Sequence, residues 1–131
     1  ANCAVVVSDE EIGSPLVTEP PVLVAMNKPS LTKFMPKMAP GGILLYNASL
    51  IEDVELRDDV TVIPVPCNQI AEELGNQRTA NMVMLGAILG ATQFVAADTL
   101  KETLREWLGE KRAAMLDINW QAIERGMALN A

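Results

Sequence analysis

Four short apolar runs divide the first half of the chain. They cover residues 3–7, 21–26, 43–46 and 60–65 and consist mainly of valine, leucine and isoleucine. Runs of this length without polar alternation, bounded by turn residues, are typical of strands that are buried on both faces of a parallel sheet. The pattern therefore predicts a mostly parallel sheet of about four strands.

A helix is predicted between the second and third of these runs. Pro29 and Ser30 can open it, because proline fits the first helical turn, and the helix extends to Met38. Pro36 must end or kink it. A strand, a helix and a strand in this order form a right-handed crossover between parallel strands. The order of elements indicates an α/β protein, and 131 residues fit one domain over 1–131.

The second half of the chain is predicted to be helical. A first helix ends or bends at Gly75, and a second covers residues 77–89. Thr99 and Glu102 have the spacing of a capping box, which predicts a third helix that stops at Gly109. A last helix can be capped by Asn119. The apolar face of this last helix comprises Trp120, Ile123 and Met127.

Residues 82–91 are apolar all round the second helix, so more than one of its faces must be covered. Met82, Gly86 and Gly90 form a stripe at four-residue spacing, which allows another backbone to approach closely. Either the C-terminal helices of the same chain cover this helix, or another subunit or a missing part of this chain does. We adopt the second alternative, in which Met82, Gly86 and Gly90 are a candidate interface. On that hypothesis Gly86→Leu weakens association more than it weakens the fold.

The charge balance narrows the possible function classes. Ten basic against 17 acidic side chains give a net charge of -7, the wrong sign for a surface that neutralises phosphate backbones. Nucleic acid is therefore not an expected partner. No run reaches the length of about 18 apolar residues that a membrane helix needs. We expect a cytoplasmic protein with no membrane partner.

The chain lacks histidine and has two cysteines, Cys3 and Cys67. Histidine acid–base catalysis, Ser-His and Cys-His nucleophile pairs and histidine-ligated metals are therefore excluded. The cysteine spacing matches neither an iron–sulfur cluster nor structural zinc. We interpret both cysteines as reduced thiols, with a disulfide between them as the alternative. No catalytic residue and no metal site are predicted, so the groups for any catalysis must come from elsewhere.

Polar residues that follow the predicted strands are the candidate ligand contacts. Ligands of open α/β sheets bind at the carboxyl ends of strands, and Asn27, Asn47 and Asn68 each follow an apolar run. The alternative for each is local, since asparagine is a good turn former and helix cap. We take Asn27, Asn47 and Ser49 as the candidate contacts to a polar ligand.

Four segments of the chain resemble the gamma subunit of 2-oxoacid:ferredoxin oxidoreductases. They occur in the family's order and spacing as VAMNKP at 24–29, GGILLYNASL at 41–50, IAEELGN at 70–76 and ANMVMLGA at 80–87. The resemblance implies a Rossmann-like, three-layer αβα sandwich of the pyruvate/ketoisovalerate oxidoreductase type. It also implies oxidative decarboxylation of a 2-oxoacid, with 2-oxoglutarate favoured, to an acyl-coenzyme A, with the electrons passing to ferredoxin.

The resemblance further implies the partners and cofactors of the complex. These complexes use thiamine diphosphate with Mg, iron–sulfur clusters and coenzyme A. The alpha and beta subunits hold the thiamine diphosphate, and the gamma part packs on them and helps form the coenzyme A side. We therefore expect alpha and beta subunits as partners, with a delta subunit where the complex contains one. We expect the isolated chain to bind no cofactor, to be inactive and to self-associate.

The sequence departs from the family in one respect. Gamma subunits begin with a strand and a Gly-rich loop of the type Gly-Gly-x-Gly-Gln-Gly before the segment that matches residues 2–8, and that half is absent here. We therefore expect a partial domain, the C-terminal portion of the gamma domain, and assign no cofactor-binding residue. The alternative function is a self-sufficient α/β domain that binds a small anion, or serves regulation, at the strand ends near Asn27 and Asn47.

Overall fold

The computed structural model describes Val5 and residues 18–129. The strand predicted at residues 3–7 therefore lies, apart from Val5, outside the described residues. Within the described part, no helix is both long enough and apolar enough to cross a bilayer.

The described chain divides into two compact units, and each is treated by itself. The first unit consists of residues 18–46 together with Leu50–Ile63. The second unit consists of Asn47–Ser49 together with residues 64–129. The first contains most of the sheet, and the second contains the long helices.

Three strands form one sheet in the order β1-β2-β3, where β1 is Val22–Ala25, β2 is Ile43–Asn47 and β3 is Thr61–Val65. Strands β1 and β2 are parallel, with Val22 opposite Ile43. A parallel pair needs a crossover connection, which the helix between the two strands supplies. The predicted α/β class and the second, third and fourth predicted strands are confirmed.

Helix α1, Lys28–Phe34, forms this crossover and begins where the sequence predicts. The side-chain oxygen of Asn27 accepts a hydrogen bond from the backbone N–H of Ser30 at 3.0 Å and so caps the helix. The helix tightens into a 3₁₀ turn at Met35–Lys37. Pro36 lies in this turn and cannot continue an α-helix, which confirms that it ends the helix.

The core of the first unit lies between α1 and the sheet. Its buried side chains are Ala25, Leu31, Met38, Leu44 and Ile51. Each fully buried leucine, isoleucine or methionine contributes about 1.5–3 kcal/mol. Because Leu31 is the buried side chain of α1, it fixes the helix face that turns inward.

Arg57 caps the end of the α1 region from a neighbouring loop. Its Nη1 donates to the carbonyl oxygens of Met35 at 3.0 Å and Met38 at 2.9 Å. The carbonyl oxygen of Met35 also accepts from the backbone N–H of Met38 at 3.2 Å, so the guanidinium is an additional donor at this helix end. The same guanidinium donates from Nε to Oδ1 of Asp59 at 2.7 Å, and this hydrogen bond lowers the pKa of Asp59 from its usual 3.8.

The second unit contains helices α2, Cys67–Glu73; α3, Ala80–Thr92; α4, Ala97–Leu108; and α5, Ala114–Ala128. Helix α3 packs against α2 and α5, and α4 packs against α5. The apolar cluster at the α4–α5 contact contains Leu104, Leu108, Trp120, Ile123 and Met127. This cluster confirms the apolar face predicted for the last helix.

Helices α3 and α5 are in backbone contact at two glycines. A Cβ atom built on Gly86 would overlap the carbonyl oxygen of Ile123 and lie 2.7 Å from its carbonyl carbon. A Cβ atom built on Gly126 would overlap the carbonyl oxygen of Val83 and lie 2.7 Å from the backbone nitrogen of Ala87. Neither position can hold a side chain unless the helices move apart.

This contact corrects the interface hypothesis at Gly86. The stripe allows the close approach that the sequence predicts, but the approaching backbone belongs to α5 of the same chain. None of the residues 82–91 is exposed. At Gly86, helix α3 is therefore covered by a C-terminal helix of the same chain, which was the first of the two alternatives. A larger side chain at Gly86 should damage the fold itself.

Two predicted helix starts are wrong. Helix α4 has its N-cap at Ala96, so Thr99 lies inside the first turn and does not cap. Helix α5 begins well before Asn119, whose Nδ2 instead donates to the carbonyl oxygen of Met115 at 2.7 Å. An asparagine that finds an acceptor one turn back can occupy a helix interior. The predicted stop is confirmed, since Gly109 ends α4 with φ of 70°.

We expect Gly86→Ala to lower the free energy of unfolding by about 3 kcal/mol, at the upper end of the usual cost of overpacking. The added methyl group would meet backbone atoms, which cannot rotate away. Urea titration followed by circular dichroism measures the change. Asn81→Ala, at an exposed position of the same helix, is the control and should shift stability by less than about 0.5 kcal/mol. Equal stability of the two variants would contradict the backbone contact.

We also expect an acid-dependent loss of stability at Asp59. Because its pKa is lowered in the folded protein, the pairing with Arg57 stabilises the fold above the pKa of the unfolded chain and is lost as pH falls through the folded value. Below about pH 4 the wild type should lose stability more steeply than Asp59→Asn. Urea midpoints measured across this pH range test the prediction. Asp58→Asn is the control and should keep the wild-type dependence of the midpoint on pH. If the midpoints of wild type and Asp59→Asn fall equally with pH, the pairing of Asp59 with Arg57 does not stabilise the fold.

Candidate functional site

The ends of β2 and β3 place two asparagines together. The backbone N–H of Ala48 donates to the carbonyl oxygen of Val65 at 2.9 Å, so β2 and β3 stay adjacent where they end. Nδ2 of Asn47 donates to Oδ1 of Asn68 at 2.8 Å. We call Asn47, Ser49 and Asn68 the polar edge.

Hydrogen bonds fix the orientation of each group in the polar edge. Asn47 is 1% exposed, and its Oδ1 accepts from the backbone N–H of Ser49 at 3.1 Å. Its Nδ2 must therefore face Asn68, and Oδ1 of Asn68 must be the acceptor. The Ser49 Oγ accepts from the backbone N–H of Gln69 at 3.2 Å. The network holds Ser49 and Asn68 in place around a buried amide.

Two hydrogen-bond donors of the polar edge remain for a ligand. Among the hydrogen bonds of the described residues, neither the Ser49 hydroxyl proton nor Nδ2 of Asn68 donates to a protein acceptor. Both residues are half-buried. Neutral donors of this kind suit a carbonyl, carboxylate or phosphate oxygen. The structure thus brings together two of the predicted contacts, Asn47 and Ser49, and adds Asn68 to them.

Asn27, the remaining predicted contact, lies in the first unit. It acts as a helix cap, the alternative role predicted for it, because its side-chain oxygen accepts from the backbone N–H of Ser30 at the start of α1. Its contact with a ligand stays a prediction.

The candidate interface residues take different positions within the second unit. Met82 is half-buried and packs on the cluster that contains Leu104 and Ile123. Gly90 lines a shallow apolar groove together with Leu89 and Met127. For Met82 and Gly90, contact with another subunit stays a prediction.

The described residues offer little reactive chemistry. Burial raises the pKa of the Cys67 thiol to about 11, so this free thiol is neutral near pH 7 and is a poor nucleophile or metal ligand. No group of three or more histidine, cysteine, aspartate or glutamate residues in the described ranges could hold a metal ion. The polar edge can bind and orient a ligand, but it supplies no acid, base or nucleophile.

The pairing of Asn68 with Asn47 is the feature that the sequence pattern missed. The sequence shows that Asn68 follows a predicted strand, but it does not show which strands are neighbours and so does not pair Asn68 with Asn47. A usable signal exists, since Asn47 ends β2 and Asn68 follows the end of β3 by three residues. The hydrogen bond from the backbone N–H of Gln69 to Ser49 could not be predicted, because every residue except proline has a backbone N–H.

Comparison with known proteins gives a consistent result. The family described as "Pyruvate ferredoxin/flavodoxin oxidoreductase" matches residues 1–129. Ketoisovalerate oxidoreductase subunit VorA of Methanothermobacter marburgensis is 38% identical over 128 residues, which cover 96% of this chain and 26% of VorA. 2-Oxoglutarate synthase subunit KorC of the same organism is 35% identical over 111 residues, which cover 80% of this chain and 60% of KorC.

A solved structure shares the fold. The 2-oxoglutarate:ferredoxin oxidoreductase from Magnetococcus marinus, with 2-oxoglutarate, coenzyme A and succinyl-CoA bound, matches 83% of this chain with a TM-score of 0.76 and 32% identity. The matched part is 19% of that chain. The present chain thus spans about a quarter of VorA and three fifths of KorC.

We expect Asn47→Ala to lower the free energy of unfolding by about 2 kcal/mol, because it leaves the buried N–H of Ser49 without its acceptor. In a double-mutant cycle with Asn68→Ala, urea titration should give a coupling free energy of about 1 kcal/mol. Asn76→Ala removes a side-chain cap from Arg78 in the same unit and is the matched control, which should be additive with Asn47→Ala. Additivity in both cycles would contradict the polar edge.

Proposed function

The chain belongs to the pyruvate ferredoxin/flavodoxin oxidoreductase family, and we propose that it is the gamma component of a 2-oxoacid:ferredoxin oxidoreductase complex. In the proposed reaction, the bond between the carboxylate carbon and the keto carbon of the 2-oxoacid breaks and CO₂ leaves. The acyl carbon forms a thioester with coenzyme A, two electrons pass to ferredoxin, and one proton is released. The observation that carries this proposal is the family match over nearly the whole chain.

We propose that this chain is a structural and binding component of the complex. Iron–sulfur clusters are held mainly by several cysteine thiolates. The sequence has two cysteines, and Cys67 is buried as a neutral thiol, so such a cluster does not fit this chain. The described residues also contain no group of three or more histidine, cysteine, aspartate or glutamate side chains that could hold a metal ion. Thiamine diphosphate, Mg²⁺ and the clusters then belong to the alpha, beta and, where present, delta subunits.

The polar edge is the proposed contact of this chain with coenzyme A. The Magnetococcus enzyme, similar to this chain at 32% identity, has coenzyme A bound. The pantetheine arm of coenzyme A carries amide carbonyl oxygens, and the Ser49 hydroxyl and Nδ2 of Asn68 are neutral donors suited to them. Asn47 has both amide groups engaged within the chain, so its proposed role is to position these two donors.

The proposed substrate is 2-oxoglutarate, as the resemblance to the family first implied. Support comes from the similarity to KorC and to the Magnetococcus enzyme. The identity with VorA is slightly higher, so 2-oxoisovalerate is the competing 2-oxoacid. The polar edge carries no charged group that would select between the two.

Coexpression of this chain with the alpha and beta subunits should give a complex that elutes as one species in size-exclusion chromatography. With 2-oxoacid, coenzyme A and thiamine diphosphate, the complex should reduce a viologen dye. The isolated chain should give no turnover, because it holds no catalytic group. Turnover by the isolated chain, or a chain that stays separate from these subunits, would refute the proposal. Ligand stabilisation of a separate monomer would favour the small-anion-binding alternative.

The same assay tests the substrate. The kcat/KM of the complex should be higher for 2-oxoglutarate than for 2-oxoisovalerate, and the reverse order would assign the complex to branched-chain 2-oxoacids. Asn68→Ala should raise the KM for coenzyme A and leave the KM for the 2-oxoacid unchanged. Asn76→Ala is the control in which both KM values should stay at the wild-type level.

A further inference from the structure

Positive charge is concentrated in one short part of this acidic chain. Residues 20–51 contain Lys28, Lys33 and Lys37 and no acidic residue, although the whole chain has a net charge of -7. All three lysines are exposed and lie in α1 or in the 3₁₀ turn that follows it. Lys33 and Lys37 both lie beside Phe34. Lys28 is five residues before Lys33 and therefore lies about 140° away around the helix axis. We call Lys33 and Lys37 the lysine face.

An aromatic ring holds two of the lysines close together. The Nζ atoms of Lys33 and Lys37 lie 5.2 Å and 5.6 Å from the centroid of the Phe34 ring. Both distances are within the range of a cation–π interaction. Phe34 is half-buried and lines a shallow groove with Thr18, Pro20 and Lys37. Two ammonium groups therefore flank one apolar ring at the protein surface.

No carboxylate in the described residues forms an ion pair with the lysine face. The ion pairs of the described residues join Arg57 to Asp59, Arg105 to Glu102 and Arg125 to Glu73, and none involves a lysine. A positive surface without internal counter-charges is available to an external anion. Long-range attraction between such a surface and its partner guides the encounter and its orientation.

We propose that the lysine face docks an acidic surface of a companion subunit in the oxidoreductase complex, an inference that rests on the proposed function. The lysine face combines two ammonium groups with the apolar ring of Phe34, and a single phosphate group has no apolar part to cover the ring. A protein surface can present carboxylates and an apolar side chain together. Because the whole chain has a net charge of -7, a locally positive surface favours one orientation of an acidic partner, and the lysine face thereby guides docking.

The test measures how fast this chain associates with the purified companion subunits at low and high salt. At low salt, Lys33→Glu combined with Lys37→Glu should lower the association rate constant by about tenfold. The difference should largely disappear in about 0.5 M salt, because the ions screen surface charges. Lys111→Glu combined with Arg112→Glu makes the same change in net charge at an exposed turn outside the lysine face and should have less than about twofold effect. Circular dichroism and thermal melting check that both variants fold.

The outcomes separate the inference from the proposed function. If the wild-type chain does not assemble with the companion subunits, the proposed function fails. If the wild type assembles and both double variants slow association equally, net charge alone matters and the lysine face is refuted. If association is unchanged but calorimetry shows that Lys33→Glu combined with Lys37→Glu loses binding of coenzyme A, the face binds a small anion and the docking proposal is overturned. The expected result is slower association of this variant alone.

Discussion

The organisation of the second unit depends on one constraint, the need to cover a helix that is apolar on every side. Helix α3 has no polar face to turn toward water, so neighbouring helices must surround it. The glycines at positions 86 and 126 let α5 approach until the two backbones touch, each glycine lying against a carbonyl group of the other helix. Small residues on both helices are needed, because a side chain on either one would separate the pair. The close approach that suggests a subunit interface is thus used inside the chain.

The polar edge shows the opposite use of burial. Asn47 is as buried as the apolar core, but every polar group that it buries has a hydrogen-bond partner within the chain. The cost of removing the amide from water is thereby offset. The result is a rigid support that leaves donors on Ser49 and Asn68 for an external oxygen atom. The proposed binding contribution agrees with the burial of the Cys67 thiol and with a sequence that contains no histidine.

The distribution of charge indicates a role for the lysines that differs from the packing of the second unit and from the polar edge. The ion pairs of the described residues use arginine, which can form two parallel hydrogen bonds with a carboxylate. The lysines at 28, 33 and 37 are left outside such pairs. Apolar burial holds the second unit together, hydrogen bonds shape the polar edge, and unpaired cations supply the proposed docking surface. Membership of an oxidoreductase family is consistent with such structural and binding roles when the chemistry is shared among subunits.

The sequence by itself determined the elements of this protein. The apolar runs located the described strands, proline and glycine marked where helices end, and the motifs carried the family resemblance. Local signals failed at Thr99, which lies inside the first turn of α4, and at Asn119, whose amide donates to a carbonyl one turn back in α5. Only the tertiary structure decided which backbone meets Gly86 and which side chain meets Asn47. Contacts between residues far apart in the chain depend on how helices and strands pack, and residue spacing along one element does not specify its neighbour.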